Sequence, residues 1–384
     1  MIPLHNIRRF LSKSVQQPLY AAGVLKKRLK AYFYYLYGNG RSSYPESVTL
    51  FLTHRCNLKC RMCGQWGREG VTKKHDAGYI NSEIRVKDME KIIDSLAAFR
   101  PNITLFGGEP LLYRGLARII KYIKGKGVHC LLITNGSMIE ESARDIVESG
   151  LDELNVSLDG GKELHDEIRG HSGLFEKIVR GLEKVRRIKA EMNKKKPIVN
   201  LQCTITKYNY RHLEQLPAAA ERIGADSLTF HNLIFLDDAI LEKQKEFDGA
   251  LGSASADWEG FKFLPDIDPE ALHDKITKIL SAKHKFTIDL YPNLSREALI
   301  DYYTKVGYAG PGSLSRCYSP WVTAYVFPDG EVRPCLNSTY SYGNILTDKF
   351  SDIWNNEKAV KFRRFLKKNR IFPVCVRCTE LYRY

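Results

Sequence analysis

Three cysteines stand together in the run His54-Arg55-Cys56-Asn57-Leu58-Lys59-Cys60-Arg61-Met62-Cys63, spaced C-x3-C-x2-C. A cubane [4Fe–4S] cluster takes four ligands, usually all cysteine. Three leave one iron open, and an open position is where a metal site does chemistry rather than only holding structure. A structural zinc is the rival reading. Zinc wants four ligands, and His54 is the fourth candidate. A second set lies far along the chain: Cys317, Cys335 and the C-x2-C pair Cys375 and Cys378. Four cysteines fill a cluster, or a zinc site, completely. Cys130 and Cys203 stand alone in apolar runs and read as inert buried thiols. Nine cysteines so unevenly placed are not a disulfide framework.

Loops with such duties need elements to aim them. Strand-like runs at Val48–Leu52, Ile103–Phe106, His129–Thr134, Glu153–Leu158, Ile198–Ile205 and Ser227–Leu233 alternate with helical patterns such as Asp88–Phe99, Leu116–Lys126 and Gly173–Met192. Six βα repeats predict an α/β protein with a parallel sheet, either doubly wound or curled into part of a barrel. In both, ligands gather at the C-terminal ends of strands. Cys56, Cys60 and Cys63 follow directly on the first run. Residues 234–315 are expected to break the alternation, with helices at Asp268–Leu280 and Ser295–Val306. From Arg316 the chain is cysteine-bearing and short in regular elements.

The chain has 384 residues, 43% apolar, and no run approaches the roughly 18–20 apolar residues of a membrane span. No signal-peptide pattern opens it, and the expectation is a soluble cytoplasmic protein. The net charge is +15. Residues 1–45 hold eight Lys or Arg and no acid; residues 358–384 hold nine against Glu380 alone. The ends therefore carry +16 and the body −1. With no nucleic-acid-binding signature, this distribution speaks against nucleic acid. Leu25, Leu29 and Phe33 recur at helical spacing beside Tyr32-Phe33-Tyr34-Tyr35. They predict a leading helix, either packed on the main domain or drawn to an anionic membrane surface at the inner face.

Further motifs end successive strands: Gly107-Gly108-Glu109-Pro110, then Ile133-Thr134-Asn135-Gly136, then Ser157-Leu158-Asp159-Gly160 followed by His165-Asp166-Glu167-Ile168-Arg169-Gly170. With C-x3-C-x2-C after strand one, the chain resembles the radical S-adenosylmethionine (SAM) enzymes. Cys317-x12-Gly330-x4-Cys335 resembles the opening of the SPASM domain, the auxiliary-cluster extension of that superfamily. A full SPASM domain continues Cys378-x5-Cys, where this chain has Tyr384; four cysteines match the shorter twitch form with one filled cluster. The Asp329-Gly330 turn and Trp321 read as part of a hairpin.

The resemblance implies a partial (β/α)6 TIM-like barrel over 47–233, a connector at 234–315, a SPASM/twitch domain at 316–384, and a basic aromatic segment at 1–46. It implies a SAM-binding [4Fe–4S] cluster on Cys56, Cys60 and Cys63, and one auxiliary [4Fe–4S] cluster on Cys317, Cys335, Cys375 and Cys378. SAM contacts are implied at Met62, Gly107, Gly108, Glu109, Asn135, Ser157 and Arg169. The paired glycines would let backbone approach the cofactor, Glu109 would take the amino group of SAM, and Arg169 would suit a carboxylate. Arg363, Arg364 and Lys367 would offset the charge of the auxiliary cluster. His231 and Asn232 are candidates for the cavity wall, and Asp237, Asp238 and Asp289 for proton acceptors.

The implied activity is reductive cleavage of SAM to a 5′-deoxyadenosyl radical, fed by a reductant such as flavodoxin or ferredoxin. Hydrogen abstraction and electron loss to the filled cluster then amount to a two-electron oxidation. No N-terminal segment of the length of a peptide-leader-binding domain precedes the first strand. That favours a small or lipid-linked, carbohydrate-like substrate, and the basic N-terminus suits an anionic one, phosphate-linked or membrane-anchored. The alternatives are a maturase that cross-links or epimerises a ribosomally made peptide, and a non-catalytic iron–sulfur electron carrier.

Overall fold

The computed structural model describes residues 18–254, 256–308, 310 and 316–383. Of the basic segment expected at 1–46, residues 1–17 lie outside them. Among the described residues the strands are β1 (Ser47–Phe51), β2 (Asn102–Phe106), β3 (Cys130–Thr134), β4 (Glu153–Ser157), β5 (Ile198–Thr204), β6 (Ser227–His231), β7 (Thr287–Tyr291), β8 (Thr323–Val326), β9 (Glu331–Arg333) and β10 (Gly343–Asn344). They form one sheet in the order β10-β9-β8-β1-β2-β3-β4-β5-β6-β7. From β8 through β1 to β7 every neighbouring pair is parallel; β9 and β10 run antiparallel.

This order decides between the two architectures left open by the βα alternation. A doubly wound sheet reverses its strand order at a switch point. Here β1 to β7 follow in sequence, and right-handed crossovers then place every helix on one face. The sheet therefore curls around its other face as part of a barrel. The helices are α1 (Pro18–Tyr37), α2 (Val86–Ala97), α3 (Leu116–Gly125), α4 (Ile139–Glu148), α5 (Lys162–Arg169), α6 (Leu174–Glu191), α7 (Gln215–Ile223), α8 (Asp238–Leu251), α9 (Pro269–Ser281), α10 (Arg296–Thr304) and α11 (Glu357–Asn369), with shorter turns between them.

Strand side chains alternate, and the two faces differ in kind. The helix-facing set includes Leu50, Leu105, Leu132, Val156 and Leu201, all fully buried against residues such as Ile93, Ile120 and Val185. Shortening one of these to Ala costs about 2–5 kcal/mol. Cys130 and Cys203 belong to this core, are fully buried, and have their thiol pKa pushed up by burial. The opposite face carries Phe51, Tyr325 and Phe327 near β1 and, further round, polar residues that stay half-exposed on β4 and β5.

Two segments depart from expectation. The stretch read as a connector, 234–315, holds α8, α9, β7 and α10, and β7 pairs in parallel with β6 as a further strand of the same sheet. Asp237 and Asp268 cap α8 and α9 by accepting from the first-turn amides. The cysteine-bearing C-terminal part joins the sheet too, because β8 pairs with β1 over Ser47–Leu50. The leading helix is present, but it packs through Ala31 and Tyr35. Leu25, Leu29 and Phe33, whose spacing allowed either a packed or a membrane-facing stripe, are exposed.

Candidate active site

The loop after β1 is fastened by the motifs that end the neighbouring strands. Gly108 N donates to Thr53 O at 2.7 Å and Glu109 N to Arg55 O at 2.8 Å. The paired glycines serve this contact: a Cβ on Gly107 would stand 2.6 Å from Thr53 O, and one on Gly108 2.2 Å from Arg55 O. The close approach is thus to the cysteine loop itself, where the sequence reading assigned it to the cofactor.

Glu109 is fully buried. Its Oε1 accepts from Leu111 N at 3.0 Å and Thr134 Oγ1 at 2.7 Å, and its Oε2 from Asn135 N at 2.7 Å. Burial raises its pKa; these three donors oppose the rise. A carboxylate offers about four lone-pair sites, so one remains for a further donor. In the structure Glu109 ties the end of β2 to the end of β3.

Each front cysteine meets at least one N–H. Asn135 Nδ2 lies 3.6 Å from Cys56 Sγ, Arg169 Nη1 3.8 Å from Cys60 Sγ, and Trp66 N 3.3 Å from Cys63 Sγ. Asn135 also donates to Asn57 Oδ1 at 3.0 Å, and Asn57 Nδ2 to Ser137 Oγ at 2.9 Å. Burial pushes the Cys56 thiol up to about 11 and raises Cys60. Arg169, 9% exposed, also donates Nε to Asp159 Oδ2 at 2.6 Å. Its charge resists burial because Asp159 and Cys60 face it. Asn135 and Arg169, expected at SAM, here each place an N–H beside one sulfur. Ser157 ends β4 half-exposed on the concave face, and Met62 is half-buried against the core.

The segment His165–Gly170 earns its order of residues in this contact. His165 Nδ1 accepts from Asp159 N at 3.1 Å. Asp166 caps the start of α6 through Gly173 N and Phe175 N. Glu167 pairs with Arg61 at 2.8 Å, and Ile168 O accepts from Arg61 N at 2.9 Å. Only Arg169 had been given a role from sequence; the rest of the run anchors α5 to the loop between Cys60 and Cys63. Two more partners were missed. Gly64 follows Cys63 and lies against Gly260, so that a Cβ on Gly64 would fall 1.6 Å from Gly260 O. His54, 5% exposed, stacks on Tyr79 at 4.1 Å, and Tyr79 on His75 at 4.3 Å.

The four later thiols are unoxidised and near enough to influence one another: Cys317 feels Cys375, Cys335 and Cys378. Burial drives Cys317 and Cys335 far up and Cys375 to about 11. Taking these buried thiols as thiolates would require a bound metal centre to displace their protons. Among the described residues no three His, Cys, Asp or Glu side chains are spaced to share one metal ion. The cysteines of a cubane each bind a different iron. A set of three thiols and a set of four are the donor types such clusters take.

The cations expected to offset the second centre are engaged elsewhere. Arg363 is fully buried and donates to Pro320 O at 2.7 Å, Trp354 O at 2.9 Å and Gly40 O at 3.4 Å, with its guanidinium 4.1 Å from the Trp354 ring. Arg364 Nε donates to Asn39 O and Lys367 Nζ to Leu36 O, each at 2.9 Å. These three of the six basic side chains of α11 thus hold the chain at and just beyond the C-terminal end of α1. The charged group felt by Cys335 and Cys378 is Glu380.

Several cavity candidates are structural. Asn232 is buried and bonded to Pro292 O and Tyr303 OH. Asp237 caps α8 and accepts from Gly307 N. Asp238 pairs with Lys262 at the surface. His231 Nε2 meets Gln202 Oε1 at 2.5 Å on the concave face, and Asp289 is buried on β7.

The profile of the radical SAM superfamily matches residues 50–216, and that of the SPASM iron–sulfur cluster-binding domain matches 317–379. An AdoMet-dependent heme synthase of Oleidesulfovibrio alaskensis is 25% identical over 85% of this chain and 78% of its own. A Pyrococcus furiosus protein that modifies the cofactor of a tungsten-containing aldehyde ferredoxin oxidoreductase is 26% identical over 86% of each. An Fe-coproporphyrin III synthase of Methanosarcina barkeri is 32% identical, over 48% of this chain; the match spans only 43% of that protein. Among solved structures, Streptococcus suis SuiB bound to S-adenosylmethionine superposes with a TM-score of 0.59 at 15% identity, covering 86% of this chain and 70% of that one.

Proposed function

Because the chain belongs to the radical SAM superfamily and carries a SPASM iron–sulfur domain, we propose that it is an enzyme that oxidises a small, neutral, hydroxyl-rich substrate held on the concave face of its sheet. Its cofactors are SAM and [4Fe–4S] clusters. When bound, they supply a 5′-deoxyadenosyl radical that takes a hydrogen atom from an unactivated C–H bond, and an acceptor for one further electron. Cys56, Cys60 and Cys63 would hold the first cluster, and Cys317, Cys335, Cys375 and Cys378 the second.

The concave face carries the substrate reading. Asn200 Nδ2 donates to Asn155 Oδ1 at 2.9 Å and to Glu153 Oε2 at 3.2 Å, and Ser227 Oγ donates to Asn200 Oδ1 at 2.7 Å. Gln202 and His231 extend the row towards the strand ends. Such a wall orients hydroxyl groups by hydrogen bonds and leaves them unpaired for an apolar analogue. On β1 to β7 this face contributes carboxylates, at Glu153 and Asp289, and no Lys or Arg; Arg333 on β9, beside Tyr325, is paired with Glu331. That composition supports a neutral polyol over the anionic substrate expected from sequence. The chain's own residues position the substrate; the aromatic cluster of Phe51, Tyr325 and Phe327 keeps water from one end of the face.

The test is isotopic. The reconstituted protein is incubated anaerobically with unlabelled SAM, a strong reductant and extract from cells grown on deuterated medium. The extract is split into neutral polyol, acidic and peptide fractions. Deuterium should enter 5′-deoxyadenosine from the neutral fraction. Transfer only from the peptide fraction would make the chain a peptide maturase, and transfer only from the acidic fraction would overturn the polyol reading.

A further inference from the structure

Helix α1 is apolar on two sides, and the described residues cover one. Its inner side is fixed: Ala31 and Tyr35 are buried, the Tyr35 ring lies 4.5 Å from Tyr318 and 4.9 Å from Trp321, Arg28 pairs with Glu46 at 2.7 Å, and Lys27 reaches Arg100 O. Its outer side bears Leu25 (44% exposed), Leu29 (61%), Tyr32 (49%), Phe33 (58%), Leu36 (38%) and Tyr37 (72%). These fall at i, i+4, i+7, i+8, i+11 and i+12, one continuous stripe. Exposed Lys26 and Lys30 extend the row of Phe33 and Tyr37 along one edge of the stripe.

Charge selects what covers the stripe. The helix lies in a stretch, residues 1–45, with eight Lys or Arg and no acid. Two copies meeting through it would bring like charges together. Beyond the C-terminal end of the helix, α11 and Arg41 line a cleft of about 640 Å³ that presents Arg41, Lys361, Arg364 and Lys368 against Glu357 alone. Arg364 spans the two features by holding Asn39 O. We propose that this face docks on an anionic bilayer, with the stripe at headgroup depth and the basic cleft taking lipid phosphates. Aromatic and leucine side chains beside lysines are the composition of a helix lying in the interface rather than across it. In agreement, no described helix is long and apolar enough to cross a membrane. Because α11 grips the end of α1, the docked face is tied to the C-terminal part that carries the second cysteine group.

The test uses the full reconstituted chain and sucrose-loaded vesicles of phosphatidylcholine alone or with about one third phosphatidylglycerol. The wild type should partition to the anionic vesicles at least about tenfold more strongly, and the excess should fall away in high salt. Leu29→Glu with Phe33→Glu should lose about tenfold or more of that binding, as should Lys361→Glu with Lys368→Glu. All four residues are exposed, and Leu29→Ser with Phe33→Ser serves if the double Glu variant fails to fold. Equal partition of wild type to both vesicles, or stripe variants that bind like wild type, would overturn the proposal. So would a dimer abolished by the stripe variants in a protein that ignores vesicles.

Discussion

At the scale of single residues, the front cysteines sit in a prepared setting. Asn135, Arg169 and Trp66 each direct an N–H at one sulfur. Hydrogen bonds to cluster sulfurs stabilise the more negative, reduced state and raise the potential. Losing one worth about 1 kcal/mol corresponds to about 40 mV for one electron. Asn135→Ala should therefore lower the potential of the front cluster by roughly that amount in a redox titration followed by electron paramagnetic resonance; an unchanged potential would deny Asn135 this role. Gly108→Ala is a harsher change, since its Cβ would meet Arg55 O at 2.2 Å. It should displace the loop and halve the iron content, from about eight to about four irons per chain. Residue types and spacing made these groups legible as a set. Their partners were less so. Glu109 and Arg169 were expected to face the cofactor, and a residue's nearest duty, to Thr134 or Asp159, depends on how loops from different strands meet.

At the scale of elements, strands β1 to β6 were legible to within a residue or two, because each is a short apolar run followed by a turn or cap. Strand β7, Thr287–Tyr291, was not: it is five residues long, contains Asp289, and follows a helix in a stretch without clear punctuation. Strand β8 was hidden for another reason. Its partner β1 lies some 270 residues earlier, and local pattern carries no sign of such pairing. The charged residues of α11 show the same limit. Their number suggested a counter-charge to a cluster, whereas Arg363, Arg364 and Lys367 bind the carbonyls ending α1. Arg363→Met should thus destabilise the fold by about 2–4 kcal/mol and loosen α1 in hydrogen exchange, with little effect on the second cluster's potential. A large shift in potential with α1 still protected would restore the original reading. A separate brace joins β3, β4 and β5. Asp152, 3% exposed, accepts from Cys130 N at 2.8 Å and pairs with Lys124 and Lys196. Burial alone would raise its pKa, but these donors depress it. A carboxylate depressed on folding adds stability above its unfolded pKa, near 4, which is lost as pH falls through the folded value. Asp152→Asn should cost about 2–3 kcal/mol at pH 6, and the difference from wild type should shrink below pH 4 in thermal melts. A difference independent of pH would contradict this.

At the scale of the whole molecule, both cysteine groups hang on one sheet. Pairing of β8 with β1 makes the C-terminal iron–sulfur domain a neighbour of the front loop. A chain cut after residue 315 would bare the β1 edge, a template for aggregation. It should be insoluble or lack the front cluster; a soluble fragment with about four irons would show the two parts to be independent. The most direct test of the central claim is 5′-deoxyadenosine itself, measured anaerobically with SAM and a strong reductant on protein holding about eight irons. Wild type should form it, Cys60→Ala should form none, and Cys317→Ala should still cleave SAM without completing substrate oxidation. Wild-type protein that forms no 5′-deoxyadenosine with both clusters intact, or a Cys60→Ala variant that forms it undiminished, would contradict the account.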